Sequence, residues 1–430
     1  MKVLSEFKNN INIFLYKLSY NLIFFFLSIN AFFFCSLILR FNLRKIKKIF
    51  CKSKEKRIIV LSKSGGIDDL LASYKKNGTT NKIEFFTLPR NLIKAIYFKY
   101  LNDSAYGDYQ TLQEDPKTLV KRNNYKNSLK KIFMHLDKYW KFDGIIGFNL
   151  FYFAEHDLHQ AIHDIKKRSI VLQKESAYPK IEEIYNRTLY KNNSPFGGDK
   201  ISVYSENEKK MLIESGLASA QQVIVTGCAR LDLAFGYKNT EIGNSTILYY
   251  MIEKERSIPG RKHFVSWSNL KLETEKYLID YAKKNPQKKI IFKGKVGVHT
   301  RSELPKKLPK NCLYIGNSPG HELLKLSNVV VCFNSTVLYE AIAAKKNLII
   351  PFFNLNFSEV EEHLLVIPNS IDLIKNHQEF YEKLDLYTSK NILKKILDNS
   401  EKEVLGFYFG NNDGKSGSRT KLFLENAMFN

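Results

Sequence analysis

A short polar turn between two apolar runs is the part of the sequence best suited to hold an anion. Residues 329–333 read VVVCF and are followed by Asn334, Ser335 and Thr336, and then by the helix-like stretch VLYEAIAAKK. Backbone N–H groups at a helix start lack partners and the helix dipole is positive there, so two hydroxyls at this place predict a phosphate site. Simple N-capping by Ser335 needs the same residues. Both interpretations predict a strand that ends in this turn and a helix that leaves it.

Other apolar runs also end in polar or glycine-containing segments. Because substrate-binding loops follow the strands of a parallel sheet, these segments are candidates for contacts with a ligand. Their side chains and glycines that could contact phosphates or hydroxyls are Ser64, Gly65, Gly66, Lys174, Lys293, Lys295, His299, Ser318, His321 and Glu322.

Three residues could act as a general base. Glu175 follows the apolar run VLQK, and Glu155 and His156 lie in the helix-like segment EHDLHQAIH. A carboxylate or an imidazole within reach of a hydroxyl can remove its proton during nucleophilic attack. His156, His159 and His163 fall on one helical face at a spacing that a metal ion could use. The sequence contains no HExxH motif, however, and we expect no metal.

The order of the elements predicts two α/β domains. Short β-rich runs alternate with helical segments, which indicates parallel βαβ units. We expect two Rossmann-like, doubly wound domains facing a cleft, preceded by an N-terminal hydrophobic helix. The predicted limits are a membrane-associating segment 1–56, an acceptor domain 57–235, a connection 236–261, a donor domain 262–400 and a helical tail 401–430.

The N-terminal segment is apolar and basic. Between Lys17 and Arg40 lie 22 uncharged residues, enough to cross a bilayer as a helix or to lie in its interface. A helix in a soluble core is the alternative. The first 57 residues hold 12 Lys and Arg against two acids, within a net charge of +24 for the chain. Nine of these cations follow the apolar run, so the positive-inside rule places the remainder of the chain in the cytoplasm. The expected location is the cytoplasmic face of the inner membrane.

Four segments carry a family resemblance: VLQKES, VTGCARLDL, SPGHELLKLSNVVVCFNSTVLYEAIAAKKNLIIP and DGKSGSRT. With them, residues 57–425 resemble bacterial surface-carbohydrate (capsule or lipopolysaccharide) glycosyltransferases of the GT-B architecture. The chain is similar to capsule-polysaccharide and glycerol-phosphate polymer transferases and, more distantly, to UDP-GlcNAc 2-epimerases.

The resemblance implies a role for each candidate residue. The C-terminal domain would bind the nucleotide of the donor, with Glu340 on the ribose hydroxyls and Lys293, Lys295 and His299 on the phosphates. Ser318, His321 and Glu322 would lie beside the nucleotide, and Glu175 would be the first choice of base. No cofactor or bound metal is implied.

These observations predict a glycosyltransferase that moves a sugar, or a polyol phosphate, from a nucleotide-activated donor to a glycan or lipid-linked acceptor. Its partners would be those two substrates and an anionic membrane surface. No nucleic-acid motif is present. A nucleotide-sugar epimerase and a non-catalytic subunit of glycan assembly are the alternatives.

Overall fold

The computed structural model describes residues 15, 17–49, 51–63, 65–75, 81–101, 116–150, 152–174, 176–237, 246–257, 264–295, 303–316, 318, 320–389, 396–410 and 413–429. The chain divides into two compact units. The first comprises Met1–Ser176, Arg187–Ala229 and Ser416–Asn430, and the second comprises Ala177–Asn186 and Arg230–Lys415.

The first unit is built on a seven-stranded sheet. Its strands are β1 (Arg44–Lys45), β2 (Cys51–Ser62), β3 (Asn81–Pro89), β4 (Gly144–Gly147), β5 (Arg168–Leu172), β6 (Lys200–Val203) and β7 (Val223–Val225). They lie in the order β1-β3-β2-β4-β5-β6-β7. All neighbouring pairs are parallel except β1 with β3. The direction of winding therefore reverses between β2 and β4.

Helices precede or connect these strands, and one of them, α7, begins in the second unit and ends in the first. They are α1 (17–28), α2 (Phe32–Asn42), α3 (Gly66–Lys75), α4 (Arg90–Tyr100), α5 (Pro116–Tyr139), α6 (Phe153–Asp164), α7 (Lys180–Lys191) and α8 (Glu206–Glu214). Side chains of β2 alternate between two apolar cores. Ile59 and Leu61 pack with α1, α2, α4, α5 and α6 on one face, and Ile58 and Val60 pack with α3 on the other. Burial on both faces explains the continuous apolar run of β2.

The apolar N-terminal segment forms two helices rather than the single helix that the sequence predicts. Helix α1 ends at residue 28, and Asn30 takes a φ of 55° before α2 begins at Phe32. Asparagine is one of the few residues that adopt this left-handed conformation at low cost. Within the part of the chain that the structure describes, no helix has both the length and the apolarity to span a membrane.

The second unit contains a six-stranded parallel sheet and a two-stranded antiparallel one. The strands are β8 (Thr246–Tyr250), β9 (Glu255–Ser257), β10 (Phe264–Ser266), β11 (Lys289–Lys293), β12 (Cys312–Ile315), β13 (Val329–Val331), β14 (Asn347–Pro351) and β15 (Leu373–Ile374). The large sheet has the order β12-β11-β8-β13-β14-β15. Counted along the chain within this sheet, the order is 3-2-1-4-5-6, the arrangement of dinucleotide-binding folds.

The remaining helices complete the two units. They are α9 (Ala229–Phe235), α10 (Ser268–Lys284), α11 (Gly320–Leu324), α12 (Val337–Ala343), α13 (Phe357–Val360), α14 (His377–Ser389), α15 (Asn399–Phe409) and α16 (Ser416–Phe429). Although α16 is the last element, it belongs to the first unit and packs on α3. The prediction of two Rossmann-like α/β sheets is confirmed.

Two strands, β8 and β9, lie where the sequence predicts a connection. β8 is a central strand of its sheet, yet its residues fall within the predicted connection 236–261. The run TILYY is only five residues long, is nearly all buried and follows a loop-like composition. A short strand buried on both faces has no alternation of polar and apolar residues by which it could be recognised.

A buried ion pair joins α5 to α6, and its loss should destabilise the first unit. Arg122 Nε and Nη2 donate to the Asp157 carboxylate at 3.1 and 2.9 Å, and both residues are buried. Asp157→Ala leaves a buried cation unpaired, so we expect the free energy of unfolding to fall by about 3–5 kcal/mol. The measurement is urea unfolding followed by Trp140 fluorescence in a Trp267→Phe background, because the chain has two tryptophans and Trp140 belongs to the first unit.

Asp164→Ala is the matched control. Asp164 also lies on α6 and pairs with a cation of α5, Lys130, at 3.2 Å, but this pair is partly exposed. Exposed pairs contribute about 0–1 kcal/mol. An equal decrease in the free energy of unfolding in the two variants would contradict the larger contribution expected from the buried pair.

Candidate functional site

The carboxyl edge of the large sheet in the second unit gathers most of the residues singled out from the sequence. Strand order reverses between β8 and β13, and open α/β sheets bind ligands outside the carboxyl ends of strands at such a point. Lys293, the last residue of β11, aligns with Tyr250 of β8 on one side and with Ile315 of β12 on the other. Val331 of β13 aligns with Tyr249. Lys293, Tyr250, Gly316 and Cys332 therefore lie along one edge.

Lys293 is a buried cation at this edge. Its side chain is 5% exposed, and its ammonium donates to the carbonyl oxygens of Gly294 and Gly316, the latter at 3.0 Å. In the described part of the chain these carbonyls are the only hydrogen-bonding or ionic partners of the ammonium. Burial lowers the pKa of the Lys293 ammonium below its usual range. An anionic ligand is the group that would offset the cost of a buried positive charge.

Tyr250 connects the edge to the loop that opens α11. Its hydroxyl donates to the carbonyl oxygen of Gly320 at 2.8 Å. A Cβ added at Gly320 would lie 3.1 Å from the Tyr250 ring, so a glycine permits this close approach. Burial, and to a lesser extent the charge of Glu340, raises the pKa of Tyr250 well above its usual range. The phenol is therefore a neutral hydrogen-bonding group at neutral pH.

Three charged side chains lie near Tyr237, namely Glu322, Glu340 and Lys325. Arg230 Nη1 lies 4.0 Å from Glu340 Oε1, and both side chains are about one quarter exposed. The ammonium of Lys325 stands 5.3 Å from the centre of the Tyr237 ring. Burial and the nearby charges of Glu322 and Glu340 raise the pKa of Tyr237. The structure thus brings Glu322 and Glu340, which the sequence singled out separately, to the same tyrosine.

His321 and Lys295 lie beside carboxylates. His321 Nε2 is 3.2 Å from Glu322 Oε1, and Lys295 Nζ donates to Glu253 Oε1 at 2.6 Å on the exposed surface. Ser318 is partly buried in the loop between β12 and α11. His299 lies outside the described residues.

The turn after β13 is fixed by its own side chains. Asn334 has a φ of 44°; its amide nitrogen donates to the His363 carbonyl at 3.0 Å, and its amide oxygen accepts from the Leu365 backbone at 2.9 Å. The Ser335 hydroxyl accepts from the backbone N–H of Val337 at 3.5 Å, and Thr336 is exposed. Asn334 thus holds the segment 363–365 in place. Phosphate contact by Ser335 and Thr336 stays a prediction.

The first unit has its own point of strand reversal, between β2 and β4. Gly65 has a φ of 77° and its N–H donates to Asp68 at 3.3 Å, and a Cβ at Gly66 would overlap the Phe148 ring. The Lys174 N–H donates to the Phe148 carbonyl at 3.3 Å. The loops after β2, β4 and β5 therefore meet at Phe148. Ser64 and Glu175 lie outside the described residues.

Glu155 and His156 lie on α6 next to this edge. Glu155 is fully buried and forms an ion pair with Arg90, whose guanidinium carbon stands 3.1 Å from the centre of the Tyr152 ring. Burial raises the pKa of Glu155, although the charges of Arg90 and Lys63 oppose this shift. His156 is also buried. Among the described residues no group of three or more His, Cys, Asp and Glu side chains could hold a metal ion.

Sequence reasoning did not identify several members of these clusters. Tyr250, Tyr237 and Arg90 are ordinary residues in the sequence, and only strand register or tertiary contact gives them a place. A signal for Tyr250 was present, because it lies in the apolar run ILYYMI, which ends before the charged segment EKER. Nothing comparable marks Tyr237 or Arg90.

His159, one turn after Glu155, should make the stability of the first unit depend on pH. Burial, reinforced by His156, lowers its pKa from 6.5 to about 3, and Nδ1 lies 2.7 Å from the Ser169 hydroxyl. Between these values the unfolded chain binds a proton that the folded chain does not, so stability falls as pH drops below 6.5. When the pH falls from 7.5 to 5.5, we expect the free energy of unfolding to decrease by about 1 kcal/mol more in the parent chain than in His159→Gln.

The same Trp140 fluorescence assay measures this difference. His163→Gln is the control, because His163 is on the same helix with its side chain about half exposed. The free energy of unfolding of His163→Gln should decrease with pH as much as that of the parent chain. A His159→Gln variant with an undiminished loss would contradict a buried neutral imidazole.

Comparisons with known proteins give structural likeness only. No protein-family model matches the chain, and no curated protein matches it. Among solved structures, the UDP-GlcNAc 2-epimerase of Methanocaldococcus jannaschii is 16% identical with a TM-score of 0.47, over 86% of this chain and 99% of that one. The UDP-GlcNAc 2-epimerase of Neisseria meningitidis bound to UDP-GlcNAc is 13% identical with a TM-score of 0.45, over 87% and 100%.

A glycosyltransferase of Rickettsia africae is 15% identical with a TM-score of 0.43, over 87% of this chain and 99% of that one. The similar structures thus include both epimerases and glycosyltransferases. With TM-scores below 0.5, these likenesses establish no activity for this chain.

Proposed function

We propose that the second unit binds the nucleotide of an activated sugar at the carboxyl edge of its large sheet, where the strand order reverses between β8 and β13. We further propose that the protein transfers the sugar to a surface-glycan acceptor. The observation that carries this proposal is Lys293, a buried ammonium held by carbonyl oxygens at the carboxyl edge of a 3-2-1-4-5-6 sheet. Charged groups at such an edge act on phosphates in a site of low dielectric constant, where their effect is largest.

The polar groups around this cation suit the rest of a nucleotide. Glu340 is partly exposed at the same edge and can accept hydrogen bonds from ribose hydroxyls. The neutral Tyr250 phenol, next to Lys293 in the strand register, donates to the carbonyl oxygen of Gly320, the first residue of α11. The sequence resemblance to GT-B enzymes assigns Glu340 and the α11 loop to the same ligand. The resemblance, together with these polar groups beside the buried cation, supports a nucleotide rather than an isolated phosphate.

Transfer would proceed by displacement at the anomeric carbon. The acceptor hydroxyl attacks this carbon while its proton passes to a base, for which Glu175 remains our proposal. The bond between the anomeric carbon and the phosphate oxygen breaks, and the electron pair leaves with the nucleotide. Lys293 stabilises the negative charge that develops on the leaving phosphate.

A glycan or lipid-linked acceptor of capsule or lipopolysaccharide synthesis is the proposed substrate class. It rests on the sequence resemblance and on the nine Lys and Arg residues that follow the apolar N-terminal run. These cations would be attracted to the anionic headgroups of the cytoplasmic leaflet, so we propose the cytoplasmic face of the inner membrane, where activated sugars would be available.

Nucleotide binding can be tested with a matched pair of lysine variants. UDP, CDP, CMP and GDP should be compared by thermal unfolding, because a ligand that binds only the folded state raises the midpoint. We expect at least one nucleotide to stabilise the parent chain, and Lys293→Met to weaken its binding by about 30-fold or more, as for removal of a buried partner of a charge.

Lys289→Met should bind like the parent chain. Lys289 is the first residue of the same strand, β11, where its side chain is exposed at the amino-terminal end, away from the candidate site. If both variants lost binding to the same extent, or neither did, Lys293 would not be the phosphate-binding residue.

Transfer and epimerisation are separated by the need for an acceptor. The nucleotide sugar of the base identified above should be incubated with and without a membrane extract as acceptor source. We expect label to enter the lipid-extractable fraction only when acceptor is present. Conversion to the C2 epimer without acceptor, detected by NMR, would instead establish the epimerase alternative. Binding without either reaction would point to a non-catalytic subunit.

A further inference from the structure

The two N-terminal helices expose a continuous apolar face. On α1 and just after it, Leu18, Leu22, Phe25 and Ile29 follow one another at intervals of four, three and four residues, which places them on one side of the helix. Phe25 and Ile29 are each 58% exposed. The opposite side carries Ile23 and Leu27, which are buried in the core of the first unit. Single exposed apolar residues are ordinary, but a full stripe is not.

Helix α2 extends this surface. Phe33 and Phe34 are about half exposed and Phe41 is 82% exposed. Phe34 stacks on Phe26 of α1 with ring centres 4.9 Å apart, which joins the two stripes. We call the combined surface the aromatic face; its residues are Leu18, Leu22, Phe25, Ile29, Phe33, Phe34 and Phe41.

The aromatic face is built on a fixed support. The side-chain amide of Asn42 donates to the Ser19 hydroxyl at 3.1 Å, which ties the end of α2 to the start of α1. The Tyr139 hydroxyl of α5 donates to the Ser36 hydroxyl at 3.0 Å. Cys35 and Leu39 lie in the same core as Ile23 and Leu27. The exposed side chains therefore project from packed helices.

Basic residues border the aromatic face. The Lys99 ammonium donates to the Ser28 hydroxyl at 2.7 Å, and the Lys131 ammonium stands 4.9 Å from the centre of the Phe32 ring. Arg40 is exposed on α2. Residues 17–43 contain no Asp or Glu, and α5 has seven Lys and Arg against one acid, Asp137. The border is therefore strongly positive.

We infer that the aromatic face docks on an anionic lipid bilayer, with α1 and α2 lying in the plane of the interface. Phenylalanine and leucine side chains would enter the region of the acyl chains, while the bordering ammonium groups reach phosphate headgroups. A second copy of the chain fits this surface poorly. In a two-fold dimer built on the aromatic face, the same cations from both copies would face each other without acidic partners.

This inference is independent of the proposed nucleotide site, since it rests on residues of the first unit alone. It gives the predicted membrane association a definite geometry: an interfacial helix pair. For an enzyme that uses a lipid-linked acceptor, such docking would hold it at the surface where the acceptor is concentrated.

Vesicle binding tests the aromatic face directly. The full chain should be sedimented with vesicles of phosphatidylcholine and with vesicles containing phosphatidylglycerol. We expect binding to the anionic vesicles, and a loss of about tenfold or more in Phe25→Ser/Phe33→Ser, because two large apolar side chains no longer enter the bilayer. Phe407→Ser/Leu422→Ser is the control, since these residues are similarly exposed elsewhere.

The cations can be tested in the same assay. Each basic residue near an anionic surface contributes roughly fivefold in affinity, so Lys99→Gln/Lys131→Gln should bind about 25-fold more weakly at low salt. Lys283→Gln/Lys284→Gln, exposed at the end of α10, should bind like the parent chain.

Unchanged vesicle binding in Phe25→Ser/Phe33→Ser, or equal binding to neutral and anionic vesicles, would overturn the inference. Sedimentation velocity without lipid tests the alternative that a second copy of the chain binds to the aromatic face. A dimer that Phe25→Ser/Phe33→Ser converts to a monomer, in a chain that binds no vesicles, would assign the face to a second copy. An unchanged urea midpoint, followed by Trp140 fluorescence for changes in the first unit and by Trp267 fluorescence for changes in the second, verifies that each variant is folded.

Discussion

Parallel pairing of strands is the constraint on which both candidate sites depend. Parallel strands end at the same edge of a sheet, and register decides which residues become neighbours there. In the second unit, the pairing of β11 with β8 and β12 brings Lys293 next to Tyr250 and Ile315, which are 43 and 22 positions away in the chain. In the first unit the loops after β2, β4 and β5 meet at Phe148 in the same way.

The buried charged side chains at the carboxyl edges of the two sheets have different partners. In the first unit Glu155 and Arg90 are buried as an ion pair, so each charge already has its counterpart. In the second unit Lys293 is buried against carbonyl dipoles, which solvate an ammonium without neutralising it. Buried pairs mainly specify structure, whereas a buried charge held only by dipoles retains its field for a ligand. This difference is the physical reason for placing the anion in the second unit.

The sequence predicted what depends on local pattern. Alternating strand-like and helix-like runs predicted the two Rossmann-like sheets that the structure has. Loops after strands predicted Lys293 and Glu322 as candidate ligand contacts, whereas Glu340 was singled out by the family resemblance. The sequence did not predict β8, because its five residues show no periodicity. It therefore did not predict Tyr250, the last residue of β8, as a member of the candidate site. It also read residues 18–39 as one helix, because hydropathy does not register a single left-handed residue such as Asn30. Contacts between distant segments, such as that of α16 with α3, left no local trace.

The helix pair at the N-terminus has a consequence for the order of events during synthesis. Ile23, Leu27, Cys35 and Leu39 leave the ribosome before α5, the helix that buries them, and about 100 residues separate the two. At a typical elongation rate of about 5–20 residues per second, an apolar segment stays uncovered for roughly 5–20 s. During that interval a bilayer and a chaperone compete with the unfinished domain for the same residues. The break at Asn30 would let each half-length helix pack separately on the growing domain during that interval.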